Sequence, residues 1–160
     1  VTSATKKPLS EYLEEKIWKP AGMEAKGTWL LGKTGQEIAG CCIQAATRDF
    51  ARMGQFVMNG AMVNGKSIVP DGWLAEATTE RTSIGVPERG YGYQWWTNAD
   101  GTYSARGIFG QGIFIDPKRK LVIALNANWG PSANDRALGA QREAFYRAVQ
   151  KAVDDETVAR

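Results

Sequence analysis

Residues 103–126 read YSARGIFGQGIFIDPKRKLVIALN, and the folding of this stretch decides the architecture around it. Residues 112–115 and 121–126 are short apolar runs, and 103–107 is a third candidate. Each has the length of a strand and none has a helical period. Between the runs at 112–115 and 121–126 lies DPKRK, residues 116–120, whose proline and charges mark a turn. Connections this short join antiparallel neighbours, because parallel strands need a crossover of a dozen or more residues. A meander is predicted here, not a series of βαβ units.

The same reading extends outward. Upstream, residues 91–97 (YGYQWWT) form an aromatic strand candidate and residues 98–101 (NADG) a turn. A helix is predicted over residues 8–20, with Ser10 as N-cap, Glu11 in the first turn, and Leu13 and Ile17 on one face. A second is predicted over 47–58, where Thr47 can cap, Asp49 suits the N-terminal end, and Phe50, Met53 and Val57 form a stripe. Asn64-Gly65 signals a hairpin turn. Pro70 opens a short helix anchored by Trp73 and Leu74. A last helix begins near Ser132 or Asn134 and carries Leu138, Phe145 and Val149 on one face. The fold class is α+β: an antiparallel sheet flanked by helices.

The chain has 160 residues, enough for one domain or a large piece of one. A net charge of +3 without a basic run gives no footprint for nucleic acid, and no apolar stretch approaches a membrane span. Histidine is absent, which removes His-based triads and most zinc sites. No metal site is expected. Cys41 and Cys42 are adjacent and could bridge only through a strained eight-membered ring, so they are expected as reduced, buried thiols. The start, VTSATKKPLSEYL, has no signal-peptide core and no initiating methionine. It is expected to lie within a longer polypeptide.

Two enzyme motifs overlap at residues 27–35. GTWLLGKT matches the phosphate-loop pattern, and Lys33-Thr34-Gly35 spells KTG. A phosphate loop needs a strand before it and a helix directly after it, so that backbone N–H groups and the helix dipole grip the phosphates. KPAGMEAK and GQEIAG provide neither. The stretch is expected to be a connector, with nucleotide binding the weakest of the rival functions.

In their order along the chain, KPLSEYLEEKIWKPAGME, ATRDFARMGQF, YGYQWW and ARGIFGQGIFIDPKRKLVIALNANW resemble the serine β-lactamase-like hydrolases. This superfamily includes class C β-lactamases, esterases and nylon-oligomer hydrolases. The resemblance covers nearly the whole chain and implies a β-lactamase/transpeptidase-like fold. It also implies a serine hydrolase, with an ester or amide substrate, an acyl-enzyme and no cofactor. In that family the serine and lysine of Ser-x-x-Lys, and a tyrosine, lie upstream of the segment resembling residues 8–25. Residues 1–160 thus correspond to the C-terminal part of one domain, whose natural partner is its own N-terminal part. The rival within the family is a non-catalytic binding module.

Two short matches are decoys. Ser3-Ala4-Thr5-Lys6 spells Ser-x-x-Lys, but Pro8 interrupts any helix begun there. Ser132-Ala133-Asn134 resembles the family's Ser-x-Asn and is expected to cap the last helix. The third family motif, KTG or HxG, falls on Ala105-Arg106-Gly107, with Ile108 following. The resemblance makes the Ile108 N–H one oxyanion donor and places Ala105, Arg106 and Gly107 against substrate. Ala105 stands where a cation is usual, which disfavours recognition of a β-lactam carboxylate and favours ester or amide chemistry. Strand alternation sends Arg106 to the face opposite Ala105. Tyr91, Tyr93, Trp95 and Trp96 could line a pocket for an apolar acyl group but are expected to pack structurally, and nothing in the spacing singles out Gln111 or Asn128 as substrate contacts.

Overall fold

In the computed structural model, which describes residues 1–130 and 135–158, the apolar runs of 103–126 pair as a meander. The elements in chain order are α1 (Thr2–Thr5), α2 (Leu9–Leu13), β1 (Thr28–Trp29), β2 (Ile43–Gln44), α3 (Thr47–Met58), β3 (Met62–Val63), β4 (Lys66–Ser67), α4 (Trp73–Ala77), β5 (Thr82–Ser83), β6 (Arg89–Tyr91), β7 (Trp96–Asn98), β8 (Tyr103–Arg106), β9 (Gly112–Asp116), β10 (Leu121–Leu125) and α5 (Arg136–Val158). Helix α2 runs on as a π-helical turn over Glu14–Trp18. The main sheet has the order β10-β9-β8-β7-β6-β5, every neighbour antiparallel. Strands β1 and β2, and β3 and β4, form two small hairpins.

Alternation along β9 explains how the helices sit. Phe114 and Ile123, on β9 and β10, form a buried cluster with Tyr146 of α5, flanked by Leu121, Leu125 and Val149. The rings of Phe114 and Tyr146 stack at 4.5 Å. Ile113 and Ile115 point the other way and meet α3 at Gly54, where an added Cβ would lie 2.7 Å from Ile113 and 2.6 Å from Val122. The sheet is therefore clasped between α3 and α5. Among the described residues no helix is long and apolar enough to cross a membrane.

Several expectations hold closely. Helix α3 has the predicted bounds. Asn64 and Gly65 both take positive φ, 50° and 77°, between β3 and β4, as a tight hairpin turn requires. Others need correction. Residues 91–97 are not one strand: Gly92 donates its N–H to the Trp95 carbonyl at 2.8 Å, Gln94 is left-handed, and the chain reverses between β6 and β7. Period alone does not reveal a turn made by residues that also suit a strand. Strand β5 carries no apolar run and was not predicted. Ser10 is not an N-cap; it lies inside α2, where its hydroxyl and N–H donate to Glu37. Those bonds, the hydroxyl's foremost, hold the Glu37 carboxyl at a pKa of about 2. Thr47 does not cap α3 either, and Asp49, beyond suiting the helix end, is fully buried. Phe145 is exposed, and Tyr146 is the buried residue of α5. The expected start of that helix at Ser132 or Asn134, and the decoy there, lie outside the described residues.

Cys41 and Cys42 also depart from expectation, for they are joined as a vicinal disulfide. The chain turns after Gly40, and a left-handed Cys42 (φ 80°) accompanies the pairing of adjacent sulfurs. Cys41 is exposed rather than buried.

Candidate active site

Strand β8 delivers the residues singled out by sequence to one end of the sheet. Ala105 pairs with Ile113 and Arg106 with Gly112, so Ala105 shares the α3 face and Arg106 the α5 face. On the α3 face an open cavity of about 240 Å³ is walled by Phe50, Ala105, Gly107, Gln111, Ile113 and Asn126. Arg106 borders it, but its guanidinium lies on the other side. There its Nε donates to Ser104 Oγ at 2.9 Å, and its Nη2 lies 3.3 Å from Glu143 of α5. Its charge also sits 5.7 Å from the centre of the Trp96 ring. Burial depresses the Arg106 pKa, and the nearby Arg142 and Arg89 add to this against the pull of Glu143. Arg106 is thus engaged in holding α5 to the sheet.

Beyond Arg106 the chain makes a three-residue hairpin loop into β9. Gly107 donates its N–H to the Gln111 carbonyl at 2.9 Å, and Gly110 donates to the Gly107 carbonyl at 3.1 Å. Gly110 has φ 88°, the left-handed residue that closes loops of this length. Beneath it lies Trp129: an added Cβ at Gly110 would overlap the indole, and the Trp129 N–H donates to the Phe109 carbonyl at 3.0 Å. The Phe109 N–H is taken by the Gln111 side chain, Oε1 accepting at 3.0 Å. Of the four N–H groups from Gly107 to Gly110, only that of Ile108 donates to no described residue. Ile108 is 64% exposed.

Gly107 has a second reason to be glycine besides close approach of a ligand. A Cβ there would overlap the Gln111 side-chain oxygen. The aromatic residues of the β6–β7 region pair with one another or with neighbours: Tyr91 with Trp96, Trp95 with Tyr103, and Tyr93 with Trp73. None of them walls the cavity beside Ala105. Asn128 is occupied locally, accepting the Gly130 N–H. Lys33-Thr34-Gly35 forms a turn between β1 and β2, with no helix following it. Ser3 and Lys6 are exposed in and just after α1. Sequence reasoning missed Glu143, on α5, and Trp129, in the segment after β10, because each reaches the β8–β9 region only through the tertiary fold. Gln111 was visible, but its contact depends on a loop closure that spacing does not show.

An antiparallel sheet clasped by two helices, with an open loop at the end of one strand, defines a β-lactamase/transpeptidase-like α+β fold. Over residues 1–148 the chain matches the beta-lactamase family, and it belongs to that family. It is 27% identical over 155 residues to the 6-aminohexanoate-dimer hydrolase of Paenarthrobacter ureafaciens, covering 90% of this chain and 39% of that protein. A solved structure described as a 6-aminohexanoate-dimer hydrolase from Bacillus anthracis superposes with a TM-score of 0.78 at 27% identity, covering 96% of this chain and 41% of the other. A penicillin-binding protein homologue from Caulobacter crescentus shares the fold, with a TM-score of 0.58 at 16% identity over 86% of this chain and 52% of its own. The chain spans about two fifths of the length of its hydrolase relatives.

Proposed function

We propose that residues 1–160 are the C-terminal part of a serine hydrolase that cleaves an ester or amide through an acyl-enzyme, and that they contribute the Ile108 N–H to its oxyanion hole. The observation that carries this reading is the exposed Ile108, whose N–H donates to no described residue, next to Gly107 in the wall of an open cavity at the end of a sheet of this family. A tetrahedral intermediate needs donors that are already in place and not spent on the protein. The surroundings support a neutral substrate: Ala105 replaces a cation, Phe50 and Ile113 supply apolar wall, and the Arg106 charge is held by Glu143 on the opposite face. The serine, lysine and tyrosine belong to the preceding part of the protein. That part supplies the second wall of the hole and is the partner of this one. The relatives' action on a 6-aminohexanoate dimer makes a linear amide one substrate of the right kind.

The test is acylation of the intact protein by a fluorophosphonate, together with turnover of a nitrophenyl ester. Covalent labelling at one serine and measurable turnover are expected. Intact protein that neither labels nor turns over would be a binding module, and the hydrolase reading would fall.

A further inference from the structure

Resting on the oxyanion reading above, we propose that Gln111 is a positioning residue: by tying down the Phe109 N–H it fixes the loop so that the Ile108 N–H, which donates to no described residue, keeps its orientation. Three interactions define this loop, two of them backbone hydrogen bonds common to any hairpin of its length, from Gly107 to Gln111 and from Gly110 to Gly107. The third comes from a side chain. The Gln111 Oε1 accepts from the Phe109 N–H at 3.0 Å and occupies the space that a side chain at residue 107 would need. Its amide orientation follows from chemistry, since only an oxygen can face an N–H donor.

The consequence is orientational. Were the peptide between Ile108 and Phe109 to flip, the Ile108 carbonyl would turn toward Gln111 Oε1, bringing two acceptors together. On the far side, the Phe109 carbonyl is held by the Trp129 N–H, and the Trp129 ring blocks movement of Gly110. The loop is therefore braced at both peptides that flank Phe109. The Ile108 N–H belongs to the preceding peptide, whose Gly107 carbonyl accepts from Gly110, so Gln111 acts on it by holding the next two peptides where that bond can form. Preorganised donors contribute most when they need no reorientation as charge develops. Gln111 also borders the cavity beside Ala105, and the role proposed for it is exerted through the loop.

The experiment uses the intact protein and three variants. Gln111→Met keeps length and removes the acceptor, Gln111→Glu keeps the acceptor, and Ile108→Pro deletes the donor at a turn position that tolerates proline. Amide hydrogen exchange should find Phe109 protected and Ile108 fast in the wild type, with Phe109 protection lost in Q111M and kept in Q111E. For a nitrophenyl ester, Q111M is expected to lower kcat about tenfold, with KM within about twofold and an unchanged melting temperature. I108P is expected to lower kcat about a hundredfold. Phe109 exchanging as fast as Ile108 in the wild type, or Q111M turning over at the wild-type kcat, overturns the role of Gln111. Wild-type activity in I108P instead removes the oxyanion reading, and the positioning role with it, so the two failures are distinguishable.

Discussion

Gly54 shows how much one missing side chain decides. It lies inside α3 among the stripe of Phe50, Met53 and Val57, where a helix pattern would favour alanine. Its place against Val122 and Ile113 leaves no room for a methyl group. Gly54→Ala is expected to destabilise the chain, because overpacking costs about 1–3 kcal/mol against roughly 1 kcal/mol gained in helix propensity, and clashes with two side chains put the cost toward the upper end. Urea unfolding of the two proteins measures the difference, and a stabilised variant would contradict the close approach of α3. Asp49 is comparable. Sequence placed it at a helix end, yet its buried carboxylate also accepts the N–H groups of Glu24 and Ala25 and pairs with Arg52. A helix-cap argument cannot reveal that a carboxylate anchors a segment 25 residues earlier.

Between elements, α5 is fastened to the sheet by apolar and charged contacts. Asp116, at the end of β9, accepts from Gln150 at 2.7 Å and from Arg119 at 2.8 Å, and Arg119 reaches on to Asp154. Burial alone would raise the Asp116 pKa, but the bonds from Gln150 and Arg119 outweigh it and hold the carboxyl below its ordinary value. Asp154 is lowered as well, chiefly by its hydrogen bond from Arg119. With folded-state values below the unfolded ones, this stabilisation is complete above the usual aspartate pKa of about 4 and is lost as pH falls through the lower folded values. Unfolding free energy should drop steeply below about pH 4, and Asp116→Asn should flatten that dependence. An unaltered slope in the variant would show that other carboxylates govern acid stability. The loop of residues 27–35 makes a further element-scale prediction. With a turn and no helix after Lys33, ATP and Mg²⁺ should leave the melting curve unchanged, as should Lys33→Ala. ATP-dependent stabilisation abolished by that substitution would restore the nucleotide reading.

At the scale of the molecule, β10 forms one end of the main sheet and pairs only with β9 among the described strands. Arg48, Arg52, Lys120, Leu121 and Val122 line an open groove along it, between that edge and α3. An unpaired edge is a template for further strand pairing. This fits the proposal that preceding chain completes the domain. On the proposed reading, which assigns the nucleophile to preceding chain, purified residues 1–160 are expected to hydrolyse no nitrophenyl ester. Turnover that disappears in Ser3→Ala would overturn both the fragment reading and the treatment of Ser3 as a decoy.

Sequence by itself determined the α+β class, the bounds of α3, the Asn64-Gly65 hairpin and the meander of residues 103–126. Each rests on local periodicity or on turn chemistry within a few residues. It also set the side chains of Ala105 and Arg106 on opposite faces of β8, since alternation is a property of the strand alone. Tertiary structure decided the rest. The reversal at Gln94, the pairing of Cys41 with Cys42, the hold of Glu143 on Arg106 and the closure of Gln111 over Gly107 depend on backbone dihedrals and on neighbours distant in sequence. That the Ile108 N–H donates to no described residue, while those of Gly107, Phe109 and Gly110 do, is likewise a condition that exists only once the loop is folded.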